Sequence, residues 1–503
     1  MITALLTLLY AAGLLVLGGF AARTLALTLG WAVSGPRRPL PAPPAEPPCV
    51  TVQIPLYNEP SVAARVIDAA CRLTWPRDRL EIQVLDDSTD GTRAVVDAAV
   101  RAWRARGVDV AVLRRPDRHG FKAGALAHGL ARARGDAIAV FDADFVPAPS
   151  FLRDTLDHLG PGVAAVQARW GHLNRDASWL TRAQALGLDG YFVVQQTALS
   201  RWGLFLNFNG TAGVWRRAAI DDAGGWQADT LTEDVDLSYR AQMAGWRIVV
   251  LPDVVAPAEL PATMRAFRCQ QQRWTKGTVQ VLRKLGPRLL RADRPWPARL
   301  QALTNLCGYF AHPVTLALLL AAPLLAAYHP HLPPAMAALA LVPLCPLAMN
   351  AAAQAVLRPR RMRRLVAYPV LMALGIGLSC AGTVAVLEGL FGRRGVFERT
   401  PKTGDGLPAG PPAGDRTTGT VGVDRPSAAG GPGGPRVDRM LWAELALAAY
   451  AWASLVVALV YGQAALAAGL ALYAGGFTAT AGLALGDAWP RPSRLRRARA
   501  DGA

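Results

Sequence analysis

The chain has 503 residues, a formal net charge of +18, and 52% hydrophobic against 18% charged residues. Soluble globular domains are about a quarter charged, so the chain is too apolar for an ordinary soluble enzyme and too long for one domain. It reads as an integral membrane protein with a separate polar part, which excludes a secreted or purely cytosolic protein.

The first element is an uncharged run, Met1 to Ala22, inside the segment 1–35. A helix needs roughly 20 apolar residues to cross a bilayer. The run lacks a basic n-region and a small-residue cleavage site, so 1–35 is expected to be an uncleaved transmembrane anchor. A Pro-rich stretch, Pro36 to Pro48, links it to residues 49–299. There, apolar β-rich runs alternate with amphipathic stretches: CVTVQIPLY before a helix from Ser61, EIQVLDD before one from Gly91, VDVAVL before one from Phe121, and DAIAVFDAD before one from Ser150. This alternation predicts an α/β domain with a doubly wound, mostly parallel sheet.

Residues 300–357 contain no Asp, Glu, Lys or Arg, and HPHLPP (His329 to Pro334) divides them into two spans. Residues 445–486 are likewise uncharged and break at Gly462 and Gln463, giving two more spans within 440–487. The run 365–391 is apolar but basic at both ends. If it crosses, the arginines of the tail 488–503 fall on the side opposite the soluble domain. If it lies at the interface, every basic cluster shares the domain's side, and the positive-inside pattern selects this topology with five crossings. Residues 403–438, with ten Gly and six Pro, are expected to be a disordered linker.

The excess positive charge lies beside these spans, at Arg37 and Arg38, Arg358 to Arg364, Arg393 and Arg394, and Arg491 to Arg499. It marks a cytosolic membrane edge, and no nucleic-acid partner is expected. Six scattered cysteines form no close pair, so neither a disulfide framework nor a zinc site is expected. Only four of the 54 basic residues are lysines, Lys122, Lys276, Lys284 and Lys402. In so arginine-rich a chain they are candidates for sites where a compact ammonium is required.

Open α/β sheets bind ligands at the carboxyl ends of their strands, and these ends are polar here. The first ends in Tyr57, Asn58 and Glu59, the second in Asp86 and Asp87, and another in Asp142 and Asp144. Two carboxylates flanking one small residue suit a divalent cation that also takes phosphate oxygens, although Asp-x-Asp alone also fits a capping or solvated loop. Glu233, Asp234 and Asp236 begin a predicted helix, where they either complement its dipole or supply a general base. Gln270, Arg273 and Trp274 lie in an amphipathic helix before the membrane, consistent with an interfacial Trp or with a phosphate-binding Arg beside a sugar-stacking Trp.

Nine segments occur in one order: VQIPLYNEP, QVLDDSTDGT, FKAGAL, FDADF, VQARWGHLN, FNGTAGVWR, GGWQADTLTEDVDLSYRAQMAGW, QQQRWTKG and FERTPK. Together they resemble the processive family-2 glycosyltransferases, namely cellulose synthase catalytic subunits, the cellulose synthase-like A (mannan synthase) group and bacterial relatives. The resemblance implies a cytosolic GT-A domain on an inner (plasma) membrane protein, a nucleotide-sugar donor such as UDP-glucose or GDP-mannose, and inversion to a β-linkage.

Carried over by position, Tyr57, Glu59 and Asp86 or Asp87 would hold the nucleoside, with Lys122, Arg273 and Lys402 also on the donor. Asp142 and Asp144 would bind Mg²⁺ or Mn²⁺, Asp142 also facing the donor, and Asp234 would be the base. Phe208, Asn209, Gly210, Thr211, Glu233, Gln270 and Trp274 would line the acceptor site. The segment 365–402 would comprise an interfacial helix and a gating loop, Phe397 to Lys402, that closes over the donor. The partners expected are a polysaccharide or glycolipid acceptor, the bilayer, and export partner proteins. Two other readings have a claim: a non-processive enzyme glycosylating a membrane lipid, and, remotely, a transporter with a nucleotide-binding regulatory domain.

Overall fold

The structure is a computed structural model that describes residues 2–35, 46–328, 342, 344–357, 359–392, 404 and 439–488. In chain order the polar part is preceded by helix α1 (Ile2–Val33) and runs β1 (Val50–Leu56), α2 (Ala63–Cys71), β2 (Leu80–Asp86), α3 (Thr92–Arg104), β3 (Val110–Leu113), α4 (Phe121–Leu130), β4 (Ala137–Val140) and α5 (Phe151–Leu156). It continues through β5 (Val163–His172), α6 (Trp179–Gly190), α7 (Thr197–Arg201), β6 (Gly213–Arg216), α8 (Arg217–Asp222), α9 (Glu233–Met243) and β7 (Arg247–Ala258).

Seven strands in the described residues form one sheet in the order β3-β2-β1-β4-β6-β5-β7. Pairing is parallel except at β6, which runs antiparallel to both β4 and β5. Every residue of β1 from Val50 to Ile54 is fully buried or nearly so, because its two neighbours are strands and helices cover both faces. One apolar layer packs α2, α3 and α5 against the sheet, and the other packs α4, α7, α8 and α9 together with Leu27 and Trp31 of α1. Chain order reverses at β1, whose neighbours β2 and β4 lie on opposite sides. Such a reversal opens a crevice beyond the strand ends.

The rest of the described chain is helical: α10 (Met264–Leu290), α11 (Trp296–Leu306), α12 (Ala311–Tyr328), α13 (Leu344–Leu357), α14 (Tyr368–Gly377), α15 (Ser379–Leu390), α16 (Arg439–Val460) and α17 (Ala464–Ala488). Among the described residues, four stretches are long and apolar enough to cross a membrane, Leu6–Val33, Trp296–Ala327, Met440–Val460 and Ala464–Asp487. The pair Met362–Gly377 and Ser379–Leu390 qualifies only if taken as one span, and it bends by 45°. Helix α13 is apolar but short, at 14 residues.

The bent pair lies along the polar part. Leu374 and Leu378 pack with Leu180 of α6 and with Met264 and Phe267 of α10, and Lys276 of α10 pairs with Glu388 of α15 at 2.8 Å. Several other helix ends also meet the polar part. The Trp202 indole donates to Ser34 just after α1 at 3.1 Å, Gln354 near the end of α13 donates to Asp189 at 3.0 Å, and Arg268 of α10 pairs with Glu444 near the start of α16 at 2.8 Å. Asp487 at the end of α17 accepts from the Met264 backbone at 2.5 Å. The HPHLPP break, most of the Pro-rich link, the Phe397 to Lys402 segment with Lys402, the tail 488–503 apart from Ala488, and the Gly/Pro-rich segment apart from Gly404 lie outside the described residues.

Candidate active site

A cavity of about 180 Å³ opens beyond the carboxyl ends of β1 and β4. Tyr57 and Glu59 after β1, Asp87 after β2, Lys122 of α4, Asp142 and Asp144 after β4, Asn209, Glu233 and Asp234 of α9, and Gln270, Arg273 and Trp274 of α10 all line it. The three α10 residues are spaced i, i+3, i+4, which puts them on one helix face; Gln272 points instead to the Ala381 carbonyl of α15.

Three non-glycine residues with positive φ flank this cavity: Asn58 (54°), Phe121 (49°) and Ala212 (55°). Each costs of order 1–3 kcal/mol and persists only where its surroundings enforce it. Asn58 is held by Ser88 Oγ on its amide and by the Thr89 amide on its side chain, at 2.9 and 2.8 Å. Ala212 donates to the Val140 carbonyl at 2.8 Å and accepts from Ala168 at 3.0 Å. The loop before it is pinned at several points. Gln167 accepts from the Asn209 amide, Ser238 from Phe208, and Gln242 from Leu206.

Thr211 Oγ1 accepts from the Asp142 amide at 2.8 Å, so this loop sets the position of the first carboxylate of Asp-x-Asp. The Gly210 carbonyl accepts from Lys122 at 2.9 Å. A side chain at Gly210 would come within 2.8 Å of Asp234 Oδ2, at a φ of +77° that disfavours one.

Lys122 is the electrostatic centre. Its ammonium lies 2.6 Å from Asp142 Oδ1 and 3.7 Å from Glu233 Oε1. Burial opposes its charge, but Asp142, Glu233 and Asp234 outweigh that and raise its pKa, so it stays protonated. Asp234 moves the other way from a normal acid: burial and the Glu233 carboxylate raise it to about 7, against the pull of Lys122. Asp236, two residues on, faces away and pairs with Arg240 and Lys284 at 2.7 and 2.8 Å.

Asp142 and Asp144 fit a divalent cation on chemical grounds. Both carboxylates line the cavity, and the Lys122 ammonium already occupies a cation's place on Asp142. Among the described residues no cluster of three or more His, Cys, Asp or Glu is built as a metal site. Two carboxylates with the remaining positions open to phosphate and water are what Mg²⁺ and Mn²⁺ accept.

Some residues expected here lie elsewhere. Asp86 is fully buried behind the strand end, where its carboxylate binds Arg114 at 2.8 Å and the Ser88 amide at 3.0 Å. Its neighbour Asp87 lines the cavity and pairs with Arg115 at 2.5 Å. The alternation of side chains along a strand explains why only one of the two adjacent aspartates reaches the crevice. Phe208 is in the core against Trp215, and Gly210 and Thr211 act through backbone and hydroxyl contacts behind the wall.

Other lining residues were not singled out from sequence. Arg118 stacks on Tyr57 with its guanidinium carbon 3.4 Å from the ring centroid. Glu259 donates its amide to Asp144 at 3.2 Å and pairs with Arg65 at 2.6 Å. Trp170 and His172 come from β5, with Trp170 lying 6.3 Å from Trp274 between ring centroids. Their i, i+2 spacing at a strand's carboxyl end was the available signal; Glu259, one residue past β7, had none.

Residues 47–277 match the family model described as glycosyltransferase like family 2. They form a family-2 glycosyltransferase domain. The chain is 46% identical over 250 residues to glucomannan 4-beta-mannosyltransferase 2 of Arabidopsis thaliana, covering 48% of this chain and 47% of that protein. It is 45% identical over 244 residues to glucomannan 4-beta-mannosyltransferase 1 of Oryza sativa subsp. japonica, covering 47% of each. The chain thus spans about half the length of the curated relatives it matches.

The glycosyltransferase domain has the GT-A fold. The mannosyltransferase PcManGT from Pyrobaculum calidifontis, solved in complex with GDP-Man and Mn²⁺, superposes with a TM-score of 0.53 at 23% identity, over 78% of this chain and all of that one.

Proposed function

We propose that the protein is a membrane-embedded, inverting glycosyltransferase that moves a hexose from a nucleotide sugar to a growing β-linked polysaccharide. The observation that carries this is the convergence of Asp142, Asp144, Lys122, Asp234 and Trp274, from four separate parts of the chain, on one cavity. The names of the relatives support mannose as the sugar, and the GDP-Man of the fold neighbour supports GDP as its carrier over the UDP-glucose alternative.

In this reading the nucleoside lies at Tyr57, Glu59 and Asp87, the diphosphate near Lys122 and Arg273, and the acceptor sugar against Trp274. Ionised Asp234 takes the proton of the acceptor hydroxyl as its oxygen bonds to the anomeric carbon. The bond from that carbon to the diphosphate breaks on the opposite face, which inverts the configuration. Lys122 and Arg273 stabilise the charge gathering on the leaving group. Asp142 and Asp144 would hold Mg²⁺ or Mn²⁺, which supplies further neutralisation of that charge. No residue of the chain becomes covalently attached to sugar.

The membrane arrangement belongs to the same proposal. Helices α1, α13 and α17 end at the glycosyltransferase domain, α11 lies against it before α12 leaves, and α16 begins there. These are five passes of alternating direction. The α14–α15 pair leaves and returns on the domain's side, which supports an interfacial placement. The basic clusters support a cytosolic domain at the inner membrane.

The test is purified full-length protein given GDP-[¹⁴C]mannose or UDP-[¹⁴C]glucose, one donor at a time, with Mn²⁺. A labelled polymer cleaved by endo-β-mannanase is expected from the first donor. A single-sugar product that extracts into organic solvent would replace the polysaccharide reading with the lipid one. Asp142→Ala is expected to lose transfer and the response to added metal together.

A further inference from the structure

Trp170 and His172 stand two residues apart on β5 and therefore share a face. Both line the cavity on the wall that carries Trp274. The His172 side chain is only 2% exposed, with Nε2 buried 3.4 Å from Asp189 Oδ1. Asp189 is itself fully buried. Arg175 meets its Oδ2 at 2.6 Å, Arg169 lies 3.7 Å from Oδ1, and Gln354 of α13 donates to Oδ2 at 3.0 Å.

Two arginines already balance the Asp189 carboxylate, so the imidazole need not be charged. Burial comes first and these arginines next among the effects that lower the His172 pKa, against the opposing pull of Asp189. A neutral imidazole has one N–H and one lone pair, and a carboxylate only accepts. The N–H therefore belongs on Nε2, toward Asp189, and the lone pair on Nδ1. Aromatic faces at Trp170 and Trp274 beside a neutral acceptor nitrogen are the complement of a sugar, which offers apolar C–H faces rimmed by hydroxyl donors.

We propose that His172 accepts a hydrogen bond at Nδ1 from a hydroxyl of the acceptor sugar, and that Asp189 is the positioning residue that fixes the ring and its tautomer. This rests on the polysaccharide reading of the cavity. Gln354 makes the arrangement a joint product of the two parts of the protein, since a helix of the membrane part helps hold the group that orients His172.

The experiment compares variants of the full-length protein for mannose transfer from GDP-mannose to β-1,4-manno-oligosaccharide and for release of free mannose to water. His172→Ala raises the acceptor KM about tenfold and leaves hydrolysis unchanged. His172→Asn sets an amide oxygen where Nδ1 stood and restores the acceptor KM. His172→Gln sets its amide where Nε2 stood, keeps the contact with Asp189 and does not restore it. Asp189→Asn raises the acceptor KM while the donor KM and hydrolysis hold.

Rescue by Gln and not by Asn would show that the ring only supports Asp189, and overturns the proposal. An unchanged acceptor KM in His172→Ala, or hydrolysis lost in step with transfer, overturns it as well. Wild-type protein inactive with both donors overturns the polysaccharide reading itself, and that is read before any variant is made.

Discussion

Burial and Glu233 raise Asp234 to about 7, against an ordinary carboxylate value of 3.8. A base with that pKa is fully competent only above about pH 7, so transfer is expected to rise with pH through neutrality. Stability runs the opposite way. Between pH 3.8 and 7 the folded chain keeps a proton that the unfolded chain has released, so this group's contribution to stability falls across that window and is level above it. Asp234→Asn removes the penalty, at most about 4 kcal/mol. The variant is expected to have no transfer activity and a higher melting temperature than wild type at pH 8, the two converging below pH 4. Equal midpoints at pH 8 would mean that Asp234 is ionised without cost.

Tyr57, Glu59, Asp87, Asp142 and Asp144 of the cavity were legible as candidates, because they are polar side chains at the ends of apolar strands, although each alone also fits a capping or solvated loop. Asp86 and Phe208 were wrongly included, since each sits beside a residue that does face the cavity. Only the register of β2 and the path of the loop before β6 decide which neighbour turns in.

At the scale of elements, α10 does the most. Its Gln270, Arg273 and Trp274 face the cavity while its first turns are held by the membrane helices. The Arg268–Glu444 pair is nearly dry, with side chains 5% and 0% exposed. Removing one partner of such a pair costs about 3–5 kcal/mol. Glu444→Ala should lower the melting temperature of the detergent-purified protein sharply, whereas a shift no larger than that of an exposed-site control would mean water reaches Arg268. A second element is the π-helical turn Tyr191–Gln196 after α6. Such turns often occur at functional sites, and here Tyr191 and Gln196 both hold Asn209 of the cavity wall. Strands β1 to β4 were legible from their alternation with helices; β5 and β7 were not read from the sequence, nor was β6. Strand β6 runs antiparallel to both its neighbours, a reversal that alternation with helices does not foretell.

For the whole molecule, the charge pattern and the helix contacts each support the five-crossing topology proposed above. With the six native cysteines replaced, Gly462→Cys in the turn between α16 and α17 should react with an impermeant thiol reagent on intact cells. Gly392→Cys, just past α15, should react only after permeabilisation. Labelling of Gly392→Cys from outside would mean that α14–α15 crosses. The uncharged runs made the spans visible in the sequence. The pairings that join them to the glycosyltransferase domain were invisible, because Arg268 meets a partner 176 residues away and Met264 one 223 residues away.

Those separations order events in time. A ribosome adds residues one after another, N-terminal domains folding first, and the glycosyltransferase domain is complete before any of α11 to α17 exists. Helix α10 nevertheless lacks the Arg268–Glu444 pair until Glu444 is made, and the Met264–Asp487 hydrogen bond until Asp487 follows. The nascent chain thus makes much of its second half with the crevice beyond β1 and β4 formed and its α10 wall not yet held by α16 and α17. On the polysaccharide reading proposed above, transfer is therefore expected only from a chain whose last span has been made, and a chain stalled part-way through insertion is expected not to extend glycan.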